Sequence, residues 1–297
     1  MTFDQLKIFL AVAEREHMTR AAEYLNLTQS AVSGAIAALE ARHGLKLFHR
    51  VGRRIELTDA GKIFAVEAKK ILATVNSAEA TLADLCDEPR GTLSIFASQT
   101  IASYWLPQHL IAFQQTYPQI ELQLEAGNTA ECVRAVNAGL VDLGFIEGAI
   151  DDPGICISSL AQDRLVVVVG NEHPLAHQSS YTLKDLTGLQ WILRERGSGT
   201  RSSFETGILA CGLGLSDLNV VMQMPSNEGL CTAVTAGDYA TAVSETVAQA
   251  GAQSGRFSVL PFELPSRAFS LIRQRERHQS RASQEFSGML RRAFGAG

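Results

Sequence analysis

The stretch Met18–Glu40, MTRAAEYLNLTQSAVSGAIAALE, constrains this chain most, because it reads as two short helices separated by a tight turn. Thr19 can cap the first, whose Ala21, Ala22 and Leu25 are small or apolar enough to let a neighbouring helix approach closely. Asn26 tolerates a left-handed backbone and suits a stop. Thr28 can cap the second, in which Val32, Ile36 and Leu39 recur at helical spacing on one face while Gln29, Ser30 and Ser33 fall together on another. Such a polar face meets what the DNA major groove presents: hydroxyl and amide side chains reach base edges and phosphates, and the helix start adds N–H groups for a phosphate oxygen. On this segment alone, the solvated face of an ordinary helical hairpin explains the pattern equally well.

The flanks shift that balance. Thr2 and Gln5 form a capping box ahead of an apolar stripe, Leu6, Phe9, Leu10 and Ala13, which gives a third helix for the pair to pack on. Lys46 to Thr58, KLFHRVGRRIELT, reads as two short strands around a turn at Gly52, carrying Arg50, Arg53 and Arg54. This is the order of a winged helix-turn-helix with a basic wing placed to grip the phosphate backbone. The succession of helix, RAAEYLNLTQSAVSGAIAALE, LFHR and LTDAG resembles the LysR-type transcriptional regulators through the first ninety or so residues. In one respect it departs from them. Members often carry longer polar or basic residues just after the recognition-helix serine, whereas this chain has Gly34 and Ala35, which shifts base readout onto Gln29, Ser30 and Ser33.

The net charge of −5 looks wrong for a DNA binder until it is divided. Up to Arg90 twelve basic residues balance twelve acidic ones, so the remainder carries all of the excess. A neutral N-terminal part with its arginines grouped in the wing binds phosphates locally, and the acidic bulk limits indiscriminate binding.

From Thr58, placed as a cap by its position before DAG, to about Asp87 the pattern is one long helix. Phe64, Ala68, Ile71, Val75, Ala78, Leu82 and Leu85 form a heptad seam. At 1.5 Å per residue this helix is roughly 40 Å long, more than one small winged domain can bury. The expectation is a coiled-coil-like dimer helix joining two winged domains that read two half-sites, with packing on its own chain as the weaker alternative. Pro89, Arg90 and Gly91 end it and form a hinge.

The remaining two hundred residues alternate strand and helix: strands at Thr92–Ala97, Ile120–Glu125, Val141–Ile146, Arg164–Val169, Trp191–Leu193, Val220–Met224, Tyr239–Ser244 and Ala268–Arg273. Helices are expected over Ala102–Tyr117 and Thr129–Ala138, after Thr200 and Asn227, and over Ser280–Phe294. Two α/β lobes with two crossovers follow, and such sheets bind ligands at the carboxyl ends of their strands. The resemblance implies the same architecture, two Rossmann-like lobes similar to periplasmic binding proteins. The expected division is a winged domain over 1–58, a linker helix and hinge over 59–90, and an effector-binding domain over 91–297. Within the last, lobe I covers about 91–161 and 267–297, and lobe II about 162–266.

Ser98, Gln99 and Thr100 lie between a strand and a helix, and RERGSGTR gives the second lobe a counterpart in Ser198, Gly199, Thr200 and Arg201. Small residues there expose N–H and hydroxyl groups to an anion, to which Arg201 or Arg196 adds charge; helix capping explains either loop taken alone. Thr129 in GNTAE and Asn227 in SNEGL open further helices as second-rank contacts, with capping the plainer role for each. RERGSGTR also resembles a motif of LysR-type members that regulate carbon fixation and sulfur or nitrogen assimilation, which implies a small anionic metabolite as effector.

Enzyme readings lack parts. GSGTR has no GK[ST], CGLGLS is a lone glycine pair, no serine sits in G-x-S-x-G, and His173 in EHPLA reads as a loop residue. Cys86, Cys132, Cys156, Cys211 and Cys231 are widely spaced without a CxxC pair, so they read as buried thiols, with a redox switch as the sharper alternative. No apolar run approaches the roughly eighteen residues of a membrane span, and no secretory lead is visible, which disfavours a transport solute-binding protein. The expected protein needs no cofactor or metal and makes no membrane contact. It is a cytoplasmic, bacterial, homodimeric or homotetrameric regulator of double-stranded DNA at an interrupted palindrome, with RNA polymerase as a further partner.

Overall fold

The capping signals of the N-terminal segment are built as hydrogen bonds. The computed structural model describes residues 1–51, 54–83, 90–178, 181–253, 255–262 and 264–295, in two compact units, Met1–Leu82 and Ala83–Gly297. In the first, α1 (Phe3–Arg15) starts on the Thr2/Gln5 capping box. α2 (Met18–Tyr24) is capped by His17, whose Nδ1 accepts from the Thr19 N–H at 3.2 Å; Thr19 is therefore inside the helix and is not its cap. Asn26 turns the chain with φ +53°, and Thr28 caps α3 (Gln29–His43) by accepting from the Ala31 N–H at 3.2 Å. The buried faces of these helices, Leu6, Phe9, Val12, Ala21, Ala22, Val32, Ile36 and Leu39, make one core.

The wing is β1 (Phe48–Val51) paired antiparallel with β2 (Arg54–Leu57), Arg50 opposite Ile55. Gly52 and Arg53, expected at the turn, lie outside the described residues. Glu40, near the end of α3, anchors the strand: its Oε1 accepts from the Leu47 and Phe48 N–H groups at 2.9 and 3.3 Å, and its Oε2 from Lys46 Nζ at 2.6 Å. Burial raises the Glu40 pKa, but the bonds from Lys46, Leu47 and Phe48 outweigh it and hold the carboxyl below its ordinary value.

Thr58 caps α4 (Asp59–Ala83), accepting from the Gly61 N–H at 3.0 Å. The first part of the heptad seam packs on its own chain: Ala68 is buried in the winged core, with Phe64 and Ile71 against it and the Phe64 and Phe9 rings 4.8 Å apart. This corrects the expectation that the whole seam is free for a partner helix. Phe9 of α1 reaches the helix first, and of the described seam positions Ala78 and Leu82 are the exposed ones further along. Leu85, Cys86 and Pro89 lie outside the described residues.

In the second unit, β3 (Gly91–Ser98) leads into a π-helical turn, Ile101–Trp105, and then α5 (Leu106–Thr116). β4 (Ile120–Gly127), α6 (Thr129–Asn137) and β5 (Leu143–Glu147) follow. β6 (Ile155–Gly170) is a single sixteen-residue strand, which begins nine residues before the strand expected at Arg164 and spans both lobes. Then come α7 (Leu183–Gly188), β7 (Gln190–Arg194), α8 (Gly199–Ala210), β8 (Asn219–Met224), α9 (Asn227–Val234) and β9 (Tyr239–Ser244). α10 (Glu245–Gln253), β10 (Phe257–Leu260), β11 (Ser266–Gln274) and α11 (Arg281–Phe294) complete the chain. The elements α7, α10 and β10 had no sequence expectation.

The strand order is β4-β3-β5-β11-β6-β9-β7-β8, with β10 also on β6. β3 lies parallel to β4 and β5, and β7 parallel to β8 and β9, so each lobe has its own parallel set. β11 and β6 run antiparallel between the sets. Within β6, Leu165, Val167 and Val169 enter one core and Val166 and Val168 another, which is how a strand covered on both faces becomes an unbroken apolar run. Two helix starts differ from expectation. Asn128 caps α6 and Ser226 caps α9, so Thr129 and Asn227 are first helical residues whose side chains are free for other bonds.

Candidate functional site

The polar start of α3 is open to solvent. Thr28, Gln29, Ser30 and Ser33 are all exposed, with the Thr28 and Ser30 hydroxyls 3.0 Å apart. The Ile55 N–H donates to the Glu16 carbonyl at 3.2 Å, tying the wing to the turn between α1 and α2. This brings Gln29, Arg50 and Arg54 together with His17, Met18, Thr19 and Ile55 around a hollow of about 360 Å³. An amide, a hydroxyl and two arginines thus share one concave surface, the amide on the helix and the charges on the wing. His17 and Thr19 were not singled out from sequence as contacts; their place at the start of the first helix of the pair was the available signal.

The expected effector residues are brought to the carboxyl ends of the strands, where the two lobes meet. Ser98 ends β3, Thr100 follows it, and Ser198 and Thr200 stand at the start of α8; all four are buried. The lobes bond directly across this seam. Asn227, fully buried, donates through Nδ2 to Thr100 Oγ1 at 3.0 Å, and its Oδ1 accepts from Arg194 Nη1 at 3.0 Å. Its N–H donates to Gln99 Oε1 at 2.8 Å, and Glu228 accepts from Gln99 and Tyr104 at 2.9 and 3.0 Å. Burial first, then the Glu228 charge, pushes the Tyr104 hydroxyl up to about 12, so it stays a donor.

Beside these bonds lies a buried charged cluster that motif reading missed. Arg267 of β11 donates through Nε to Asp163 Oδ2 at 2.8 Å and through Nη1 to Thr200 Oγ1 at 3.2 Å. Ser244 donates to Asp163 Oδ1 at 2.6 Å. Glu147, ending β5, accepts from Thr200 Oγ1 at 3.5 Å and lies 3.9 Å from Arg267 Nη2. The start of α8 crowds this acid: a Cβ on Gly199 would strike the Glu147 carbonyl and stand 2.6 Å from Thr129 Oγ1, so glycine is what permits the approach. Thr129 donates to the Glu147 carbonyl at 3.4 Å.

Arg201, expected to offer its charge to a ligand here, is turned to its own lobe, donating to Glu205 at 2.7 Å and the Arg194 carbonyl at 3.2 Å. The cation beside Thr200 is Arg267 instead. Arg201 also lines a hollow of about 620 Å³ together with Thr129, Arg134, Arg196 and Ser198. The starts of α6 and α8 both border it, and the Ala130 N–H donates to the Gly197 carbonyl at 3.1 Å across it.

Among the described cysteines only Cys132 is buried; Cys156, Cys211 and Cys231 are half-buried, which corrects the expectation of uniformly buried thiols. Burial pushes the Cys132 thiol up to about 12 and the Cys231 thiol to about 11, away from the reactive thiolate. His173 is a turn residue, its Nδ1 accepting from the Leu175 N–H at 3.1 Å, and burial lowers its pKa. Among the described residues no cluster of His, Cys, Asp or Glu could hold a metal, and no helix is long and apolar enough to cross a membrane.

A winged helix-turn-helix with an open polar reading face, on one chain with a two-lobed α/β unit whose polar side chains converge at strand ends, defines a DNA-binding regulator with an effector-binding domain. The chain belongs to the LysR family of transcriptional regulators: residues 3–62 match the bacterial regulatory helix-turn-helix protein model of that family, and residues 87–295 the LysR substrate binding domain. It is 34% identical to the HTH-type transcriptional regulator YeiE of Escherichia coli K12 over 288 residues, 96% of each chain. It is 32% identical to the HTH-type transcriptional regulator CysL of Bacillus subtilis, covering 83% of this chain and 82% of that one. The full-length structure of the LysR family regulator CbnR in complex with its target DNA aligns with a TM-score of 0.72 at 26% identity, covering 99% of this chain and all of that one, 100%. The chain is a regulator and not an enzyme.

Proposed function

We propose that this regulator responds to a small anionic metabolite held between its two lobes by Ser98, Thr100, Thr129, Ser198, Thr200 and Asn227, with Arg134 and Arg196 adding positive charge at the edge and Arg201 lining it with its charge taken up by Glu205. The observation that supports this is the convergence of two helix starts, those of α6 and α8, on one seam lined by buried hydroxyls from both lobes. A ligand entering there competes with the Asn227–Thr100 and Thr200–Glu147 bonds and so biases how the lobes close. Thermal unfolding of the full chain against a panel of small anions tests it, since a ligand at a hundred times its dissociation constant adds about 2.7 kcal/mol. Stabilisation by an anion that survives Thr129→Val and Thr200→Val unchanged would put the effector elsewhere.

On the DNA side, Thr28, Gln29, Ser30 and Ser33 read bases while Arg50, Arg53 and Arg54 hold phosphates, and a dimer or tetramer in a bacterial cytoplasm spans an interrupted palindrome and contacts RNA polymerase. The exposed Leu82, at 67%, is the seam position that best fits a partner helix. Leu82→Lys is expected to yield monomers by sedimentation with the winged fold intact; an undisturbed oligomer would assign assembly to the second unit. Ile71→Lys is unsuitable, because Ile71 also packs on the winged core.

A further inference from the structure

At the centre of the seam one charge is left without a match. Glu147 and Asp163 are two buried carboxylates facing one guanidinium, that of Arg267. Asp163 takes its close bonds from Arg267 Nε and the Ser244 hydroxyl. Among the described residues Glu147 receives only a hydroxyl at 3.5 Å and an Arg267 nitrogen at 3.9 Å, and its Oε2 is sealed with no hydrogen-bond partner. Ser98 Oγ, at the end of the neighbouring parallel strand, and Arg267 Nη2 are sealed and without a hydrogen-bond partner in the same sense. A carboxylate oxygen accepts and never donates, and one that is buried unmatched is costly. An anion placed against it is repelled unless the anion itself brings a proton.

From this geometry we infer that the effector is a small anion that also carries a hydrogen-bond donor, an ammonium, a hydroxyl or a protonated oxyanion oxygen, which Glu147 Oε2 receives, while Arg267, Ser98 and the start of α8 take the acceptor end. The inference rests on the proposal of an anion held between the lobes, and it makes Glu147 the residue that selects among anions. Fully deprotonated oxyanions and simple carboxylates meet a bare acceptor there. Hydroxy acids, amino acids and hydrogenphosphate groups meet a partner.

The test uses the full chain and calorimetry on matched probes: inorganic phosphate against sulfate, glycolate against acetate, and glycine against acetate. In the pair that binds, the donor-bearing member is expected to bind about tenfold or more tightly, the scale of one hydrogen bond to a charged group. Glu147→Gln, which places an amide where the second acceptor stood, should remove or invert that ratio while thermal unfolding shows the variant folded. A donor-free member binding as tightly as its partner in the unaltered protein overturns the inference and leaves the interlobe anion site standing. Binding of no member overturns both. The ratio in the unaltered protein decides even where Glu147→Gln fails to fold.

Discussion

The reading face of α3 and the seam between the lobes are made from the same side chains, hydroxyls, amides and arginines, and the chain treats them oppositely. Gln29, Arg50 and Arg54 stand in solvent around a shallow hollow, and Ser33 is exposed on the same helix as Gln29. Thr100, Thr200, Asn227 and Arg267 are buried and bonded to one another across the seam. An exposed polar group surrenders only water when it meets DNA, so its loss should be felt in binding and hardly in folding. A buried one is already part of the fold, so any ligand that uses it must displace native bonds, and that exchange lets ligand binding change the shape of the protein.

The contrast can be broken most severely at Arg267. Arg267→Met keeps much of the volume but leaves Asp163 and Glu147 buried without their cation, and removing one partner of a buried pair costs about 3–5 kcal/mol. Urea unfolding followed at Trp191, in the core of lobe II, should report it. A loss below about 1 kcal/mol would mean that water reaches these acids and that the seam is not a sealed polar core.

Glu40 sharpens the contrast, because it is a buried polar group inside the otherwise open reading unit. Glu40→Ala orphans the Leu47 and Phe48 N–H groups and should destabilise the winged unit by about 1.5–3 kcal/mol. Its pH dependence has a definite sign. The folded pKa lies below the ordinary 4.5, so the contribution is complete above that value and is lost as pH falls through the lower, folded one. Acid titration of stability should therefore be flatter below pH 4.5 in Glu40→Ala than in the unaltered protein. Parallel curves would show that the carboxylate is not what fastens the wing.

What was readable in the sequence divides along the same line. The Thr2/Gln5 box, the Thr28 cap and the left-handed Asn26 act within three or four residues, so the local spelling shows them. Thr129 and Asn227 were misassigned as caps because Asn128 and Ser226, one residue earlier, are equally good capping types. The heptad seam of α4 is a periodicity, and a periodicity names a face without naming what covers it; Phe9 of the same chain covers its start. The first nine residues of β6 mix buried, half-buried and exposed positions with no strict alternation and pair with β11, far along the chain. Arg267 and Asp163 are 104 residues apart, so only the antiparallel crossing of β6 and β11 makes them partners. Arg201, in contrast, advertised its charge in a motif and spends it on Glu205, one turn along its own helix.

The smallest effect on folding and the largest on reading should come from Gln29. Selection from a random duplex pool supplies a preferred sequence, against which Gln29→Ala and Arg50→Ala are titrated at several salt concentrations beside a scrambled duplex. Gln29→Ala is expected to unfold within about 0.5 kcal/mol of the unaltered protein and to lose about 1–3 kcal/mol of discrimination at particular base pairs. Arg50→Ala should weaken both duplexes alike and flatten the salt slope by about one. Equal losses on preferred and scrambled duplexes for Gln29→Ala would contradict the division of the exposed surface into a reading helix and a gripping wing.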